Sequence, residues 1–182
     1  MLRTALRIAA VSLALAPTLA SAHPGHDGAS LVHGFVHPLG GIDHIVAMVA
    51  VGLLAARLGG RALWLVPASF IAAMAVAGLA GVAGIGLPYA EAGITVSVVA
   101  LGAVAAFGVA MPVAAAMGLV AFFAVFHGYA HGIEMPETMS GFAYGAGFVA
   151  ATALLHGVGI GLGMIGWVGG SPARGVGRIS AA

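Results

Sequence analysis

Cysteine and lysine are both absent from this sequence of 182 residues, and charged residues of any kind are scarce. Without cysteine, the chain can form neither a disulfide framework nor a thiolate metal site. Charged residues account for 6% of the chain, whereas they account for about a quarter of a typical soluble domain. The net charge of only +1 gives no indication of nucleic-acid binding, which requires a strongly basic surface. The composition therefore excludes an ordinary soluble domain.

Apolar residues and glycine are what the chain has in abundance. Hydrophobic residues make up 62% of it, and glycine occupies 30 positions. A chain this apolar must use lipid as the solvent for most of its surface. Frequent glycine is typical of transmembrane helices that pack closely against one another. We therefore expect an all-α integral membrane protein, a compact glycine-rich bundle of about five transmembrane helices that forms one domain.

Residues 1–22 have the pattern of a secretory signal peptide. Arg3 and Arg7 give a basic start, an apolar stretch follows, and residues 20–22 read Ala-Ser-Ala, which matches an A-x-A cleavage site. The alternative is an uncleaved first span, but the apolar stretch is short for that role. We expect cleavage after residue 22.

Residues 23–35 would then form a histidine-containing leader on the periplasmic side. Cleavage would leave His23 with a free α-amine, and His26 follows closely. These groups could chelate a metal ion at the outer face of the membrane. A flexible polar leader without a metal explains the same residues equally well, so both interpretations stand.

Five apolar segments follow the leader. They cover residues 36–56, 62–84, 91–110, 113–134 and 141–168. The predicted bundle therefore occupies residues 36–170, and residues 171–182 form a short tail. A cleaved signal peptide leaves the new N-terminus outside.

The arginines predict how the bundle is oriented. From an outside N-terminus, five spans place the four arginines of the mature chain on the cytoplasmic side, as the positive-inside rule requires. These are Arg57, Arg61, Arg174 and Arg178. We expect a multi-pass protein of the bacterial inner membrane, with a periplasmic mature N-terminus and a cytoplasmic C-terminus.

The fourth segment ends in a motif that contains two histidines and an acid. His127 and His131 are four residues apart, and Glu134 follows three residues later, so a helix presents all three on one face. Two imidazoles and a carboxylate suit a borderline divalent cation. Gly128 and Gly132 form a G-x-x-x-G pair beside them, which allows another helix backbone to come close. An ordinary polar helix end would not require this register.

The first segment contains a second polar motif, which runs from His37 to Asp43 and His44. Pro38, Gly40 and Gly41 lie within it and discourage a regular helix, so we expect a broken backbone. A carboxylate in a span is costly and is expected to face the bundle interior. Asp43 would there meet a metal ion, water or a histidine, and a structural hydrogen bond to His44 is the simplest alternative.

The predicted topology brings the two motifs to a similar depth. Asp43 precedes Arg57 by fourteen residues, about 21 Å of helix, and His127 follows Pro112 by fifteen, about 22 Å. Both levels lie inside the roughly 30 Å hydrocarbon layer, nearer its outer side. His156 would lie deeper, either as a further station for the ion or as a helix-packing donor. We therefore predict an intramembrane divalent-metal site that opens to the outside.

These two motifs resemble the signature motifs of the HupE/UreJ family. The pattern His-x5-Asp-His is complete at residues 37–44, and Phe-His-Gly-x-Ala-His-Gly-x-Glu is complete at residues 126–134. The family consists of small membrane permeases for nickel, and in some members cobalt, that serve hydrogenase and urease maturation. The resemblance implies import of such an ion as substrate. It implies as ligands His37, Asp43, His44, Glu91, His127, His131 and Glu134. The further candidates His23, His26 and His156 come from the residues alone and not from the resemblance.

The residues leave the metal and two other functions open. Ni²⁺ and Co²⁺ suit nitrogen and oxygen ligands, but so does Zn²⁺. A membrane-embedded zinc hydrolase of the ceramidase type is the main alternative, and a b-type cytochrome with paired histidine ligands is a weaker one. The expected partners are the lipid bilayer and the transported ion, with self-association left open and no nucleic acid.

Overall fold

The computed structural model describes residues 30–135 and 141–168. Within these ranges the chain forms α-helices joined by short connections, with no strands. The helices are α1 (Ser30–Val36), α2 (Ile42–Leu58), α3 (Ala62–Val82), α4 (Ala90–Phe107), α5 (Val113–Glu134) and α6 (Gly141–Val168), and a 3₁₀ turn (His37–Leu39) follows α1. The predicted signal peptide, His23, His26 and the predicted tail lie outside the described residues, so these remain predictions.

Four of the described helices, α3 to α6, are long and apolar enough to cross a membrane. The segment Ser30–Leu39 together with α2 passes the same test as a broken span, with a bend of 82° between its two parts. The prediction of an all-α membrane protein with about five spans is therefore confirmed. Large apolar side chains such as Leu79, Phe142 and Ile165 are more than 70% exposed, as lipid-facing residues should be.

The break before α2 lies at the proline and glycine positions of the first motif. Pro38 occupies the 3₁₀ turn, where its missing N–H does little harm. Gly41 is extended and forms the N-cap of α2, and a Cβ there would lie 2.6 Å from the Asp43 carboxylate. The prediction of a broken backbone is confirmed. Val36 and His37 lie in the first part of the bent span, before the regular helix that starts at Ile42.

Glycines allow the backbones of α3 and α5 to touch. A side chain on Gly128 would overlap the carbonyl of Met74, and one on Gly132 would overlap the carbonyl of Gly78. The predicted G-x-x-x-G contact is thereby confirmed, with α3 as its partner. α2 and α6 pack in the same way, since a side chain on Gly159 would overlap the carbonyl of Val49. These close approaches bring the interior side chains of the bundle within reach of one another.

The connections divide the bundle into two ends. Arg57, near the end of α2, lies so close to Gly108, just after α4, that a Cβ on Gly108 would overlap its guanidinium group. At the other end, His37 before α2 contacts Glu134 at the end of α5. Both polar motifs therefore belong to the end opposite Arg57. This is the arrangement that the predicted topology requires.

Candidate metal site

His44 is held by its neighbour Asp43 in the first turn of α2. The Nδ1–H of His44 donates a hydrogen bond of 2.9 Å to Oδ1 of Asp43. The other ring nitrogen, Nε2, is buried and has no hydrogen-bond partner among the described residues. A carboxylate that binds one imidazole nitrogen fixes the tautomer and leaves the other nitrogen as a metal ligand. The geometry therefore makes Asp43 the group that orients His44.

His127 is held in a similar way by Ser97 on α4. The Ser97 hydroxyl donates to the carbonyl of Ile94 at 2.6 Å, and its oxygen lies 2.7 Å from Nε2 of His127. Since the single hydroxyl proton goes to Ile94, the oxygen accepts the Nε2–H of His127. His127 is fully buried, and its Nδ1 has no partner among the described residues. That nitrogen carries a free lone pair.

His37, His131 and Glu134 form a cluster with the spacing of metal ligands. One potential ligand atom from each residue lies within 4.8 Å of the other two. His37 Nε2 donates to Glu134 Oε2 at 3.0 Å, and His131 Nδ1 lies 3.6 Å from the same oxygen. His131 is buried, whereas the Glu134 side chain is nearly half exposed. The carboxylate therefore marks the more accessible end of the cluster.

The four imidazoles of the two motifs lie in succession. The ring centroids of His37 and His131 are 4.9 Å apart, those of His131 and His44 are 4.3 Å apart, and those of His44 and His127 are 5.0 Å apart. Successive histidines in this order come alternately from the first motif and from α5. The residues predicted from two distant parts of the chain thus form one continuous row that leads into the buried interior.

An aromatic and histidine pair borders the row on its outer side. The rings of His33, on α1, and Tyr144, near the start of α6, are each about 6 Å from the ring of His37. Tyr144 Oη and His33 Nδ1 are buried without hydrogen-bond partners among the described residues. α1 and α6 therefore each place one ring beside His37.

The structure brings together six of the predicted ligand residues. They are His37, Asp43, His44, His127, His131 and Glu134. Glu91 lies exposed in the first turn of α4, and the three-residue cluster does not include it. His156 is buried on α6 against Phe70, one aromatic ring away from His127.

Ser97 was not among the predicted site residues. Its only signal in the sequence is that it is a hydroxyl residue in an otherwise apolar span. Such residues commonly hydrogen-bond their own helix backbone, as Ser97 does at Ile94. The contact with His127 depends on how α4 packs against α5, and no local pattern in the sequence indicates it.

The donor set of the row consists of imidazole nitrogens and carboxylate oxygens without sulfur. Several of these nitrogens are buried and unpartnered in the described part of the chain, which is costly unless another group satisfies them. Imidazole with carboxylate suits Zn²⁺, Ni²⁺ and related divalent ions. A sequence profile for the family described as HupE / UreJ protein matches residues 11–182.

The chain belongs to the HupE/UreJ family. It is 47% identical over 146 residues to Protein HupE of Rhizobium leguminosarum bv. viciae, an alignment that covers 80% of this chain and 76% of the relative. No solved structure matches it with significance. HupE/UreJ proteins are accessory proteins of the permease type and are not enzymes, so membership does not favour the zinc hydrolase alternative. Membership associates the chain with nickel or cobalt uptake for hydrogenase or urease.

Proposed function

We propose that this protein imports Ni²⁺ or Co²⁺ for metalloenzyme maturation, and that the ion passes along the row of histidines inside the bundle. Family membership supports the transport of a transition metal. The ligand types support an ion of this class, because both metals accept imidazole nitrogen and carboxylate oxygen. Zn²⁺ fits the same ligands, so the choice among the three rests with the family association.

The observation that carries the proposal is the continuity of the row from His37 to His127. Neighbouring ring centroids are 4.3 to 5.0 Å apart, so an ion can bind a new imidazole before it leaves the previous one. The atoms without hydrogen-bond partners within the described residues are His44 Nε2, His127 Nδ1 and the two ring nitrogens of His131. An ion would supply the missing interaction at each step.

The row offers two neighbouring binding positions. The outer position comprises His37, His131 and Glu134, whose ligand atoms are close together. The inner position comprises the pair His44 and His127, whose rings Asp43 and Ser97 hold. A pathway with more than one site of moderate affinity lets an ion enter and leave. Ligand exchange from His131 to His44 would move the ion from the outer to the inner position.

Charge favours entry from the outer end. Glu134 lies at that end and is nearly half exposed, so it can attract a dication before the ion loses its water. Asp43 supplies negative charge deeper in the row. A cation inside the hydrocarbon layer is costly unless nearby carboxylates and ligands compensate for it.

The orientation in the membrane is part of the proposal. Arg57 and Arg61 lie at the end of the bundle away from the histidine row, and the positive-inside rule assigns that end to the cytoplasm. The row would then open to the periplasm of the bacterial inner membrane. Residues 1–22 as a cleaved signal peptide, residues 23–35 as a periplasmic leader, residues 36–170 as the bundle and residues 171–182 as a cytoplasmic tail complete this topology.

Radioactive nickel and cobalt uptake by cells tests the proposal. Cells producing His127→Ala should accumulate about tenfold less metal than cells producing wild type at equal protein levels, because the inner position loses a ligand. Phe122→Ala is the matched control, since Phe122 lies on the same helix but is 60% exposed. Equal accumulation of both metals by wild type and His127→Ala would contradict the proposed function.

A further inference from the structure

His156 is a buried histidine that the proposed row does not include. It lies in α6 with 1% of its surface exposed, and both ring nitrogens lack hydrogen-bond partners among the described residues. A histidine that only joins two helices would donate its N–H to a carbonyl or hydroxyl of the neighbouring helix. His156 makes no such bond, so helix packing does not explain a polar ring in this place.

The ring of Phe70 lies close both to His156 and to His127, the innermost histidine of the row. Its centroid is 5.9 Å from that of His127 and 5.2 Å from that of His156, and it is perpendicular to the His156 ring. Phe70 is fully buried. The two histidines are therefore neighbours of the same aromatic side chain, which comes from α3.

A second polar contact joins α3 and α6 in the adjoining layer. The Thr152 hydroxyl, one turn before His156, donates to the sulfur of Met74 at 3.7 Å, and Met74 lies one turn after Phe70. Both side chains are buried. A hydroxyl and a thioether are weak ligands, but they give this interior layer polar atoms that a purely apolar helix contact lacks.

We infer that His156 is a further binding position for the transported cation, next to Phe70. The inference rests on the proposed function, and it extends the route beyond His127 toward the opposite membrane face. Within the described residues this position has an imidazole but no carboxylate. It should therefore bind the ion more weakly than the row does, which favours release in the inward direction.

Two measurements on the full-length protein test the inference, with Co²⁺ as the probe. Titration of the detergent-purified protein should show a tighter component from the row and a weaker one from His156. His156→Gln keeps a side chain that can hydrogen-bond but replaces imidazole with an amide that transition metals disfavour. This variant should lose the weaker component, keep the tighter one, and reduce the initial cobalt uptake rate at least about tenfold.

Two further variants separate ligation from structure. His156→Cys supplies a thiolate ligand and should regain part of the uptake that His156→Gln loses. Leu155→Ala removes a neighbouring buried side chain of the same helix and should transport cobalt like wild type.

Three results would overturn the inference. The first is wild-type uptake with an intact weaker component in His156→Gln. The second is uptake by His156→Cys no higher than by His156→Gln. The third is equal loss of uptake in His156→Gln and Leu155→Ala. Wild-type protein that binds no Co²⁺ would instead contradict the proposed function.

Discussion

The hydroxyl of Ser97 and the imidazole of His127 are joined by a buried hydrogen bond of 2.7 Å that links α4 to α5. Because the Ser97 proton is given to the carbonyl of Ile94, the bond fixes the proton of His127 on Nε2. The free nitrogen is then Nδ1, which is buried and unpartnered within the described residues. Ser97 is not a proposed ligand, but its hydrogen bond decides which nitrogen of His127 can bind the ion.

Removing the Ser97 hydroxyl should weaken metal binding without removing a ligand. We expect Ser97→Ala to lower the Co²⁺ affinity of the purified protein by roughly 10- to 100-fold, since the His127 ring is no longer held in one tautomer. Ser97→Thr retains the hydroxyl and should stay within a few-fold of wild type. Isothermal titration calorimetry measures both, and an unchanged affinity in Ser97→Ala would show that the bond has no role in binding.

Replacing the Asp43 carboxylate should affect His44 in the same manner. Asp43→Asn can still accept the Nδ1–H of His44 but lacks the negative charge, so we expect an affinity loss of about tenfold. Asp43→Ala removes the acceptor altogether and should lose more. Metal analysis of the purified proteins measures how much metal each one retains, and the amount should decrease from wild type to Asp43→Asn to Asp43→Ala. If Asp43→Ala retained as much metal as wild type, the carboxylate would be dispensable for the site.

The contact between α3 and α5 predicts an unequal effect of two glycine substitutions on one helix. A methyl group at Gly128 would overlap the Met74 carbonyl, whereas one at Gly118 meets nothing within 4 Å. We expect Gly128→Ala to destabilise the protein by roughly 1–3 kcal/mol. Gly118→Ala should be neutral or slightly stabilising, because alanine is the better helix former. Thermal unfolding in detergent compares the two, and equal midpoints would contradict the close approach.

Protons should compete with the metal ion for the histidine row. Coordination requires an imidazole nitrogen with a free lone pair, and protonation removes that lone pair. Apparent Co²⁺ affinity should therefore fall once the pH is low enough to protonate the row. Calorimetric titration at a series of pH values measures that affinity. A folded protein whose Co²⁺ affinity stays unchanged even in strongly acidic buffer would contradict ligation by histidine.

The spans and the shared face of the second motif could be predicted from the sequence because both depend on local features. Membrane-length apolar stretches, bounded by glycine, proline and arginine, indicated α3 to α6 to within a few residues. The spacing of His127, His131 and Glu134 determines their common face in any α-helix. The break between His37 and Asp43 was likewise indicated by Pro38 and two glycines.

The features of the site that the sequence did not predict depend on packing between helices that are distant in the chain. The 82° bend at the break places His37 beside Glu134, and no local pattern gives that angle. Glu91 looked equivalent to the other acids, yet it lies exposed at the start of α4, and its place among the ligands stays a prediction. Asp43 was predicted as a metal ligand, and its bond to His44 shows a positioning contact that the sequence allowed only as an alternative.

X-ray absorption of the cobalt-loaded, purified protein tests the central claim most directly, because it counts the imidazoles on the ion. Wild type should show coordination by at least two imidazole nitrogens, contributed by His44 of the first motif and His127 of the second. His44→Gln and His127→Gln should each lower that number by one, with the remaining ligands unchanged. Cobalt surrounded by water oxygens alone, or an identical spectrum in all three proteins, would contradict the account.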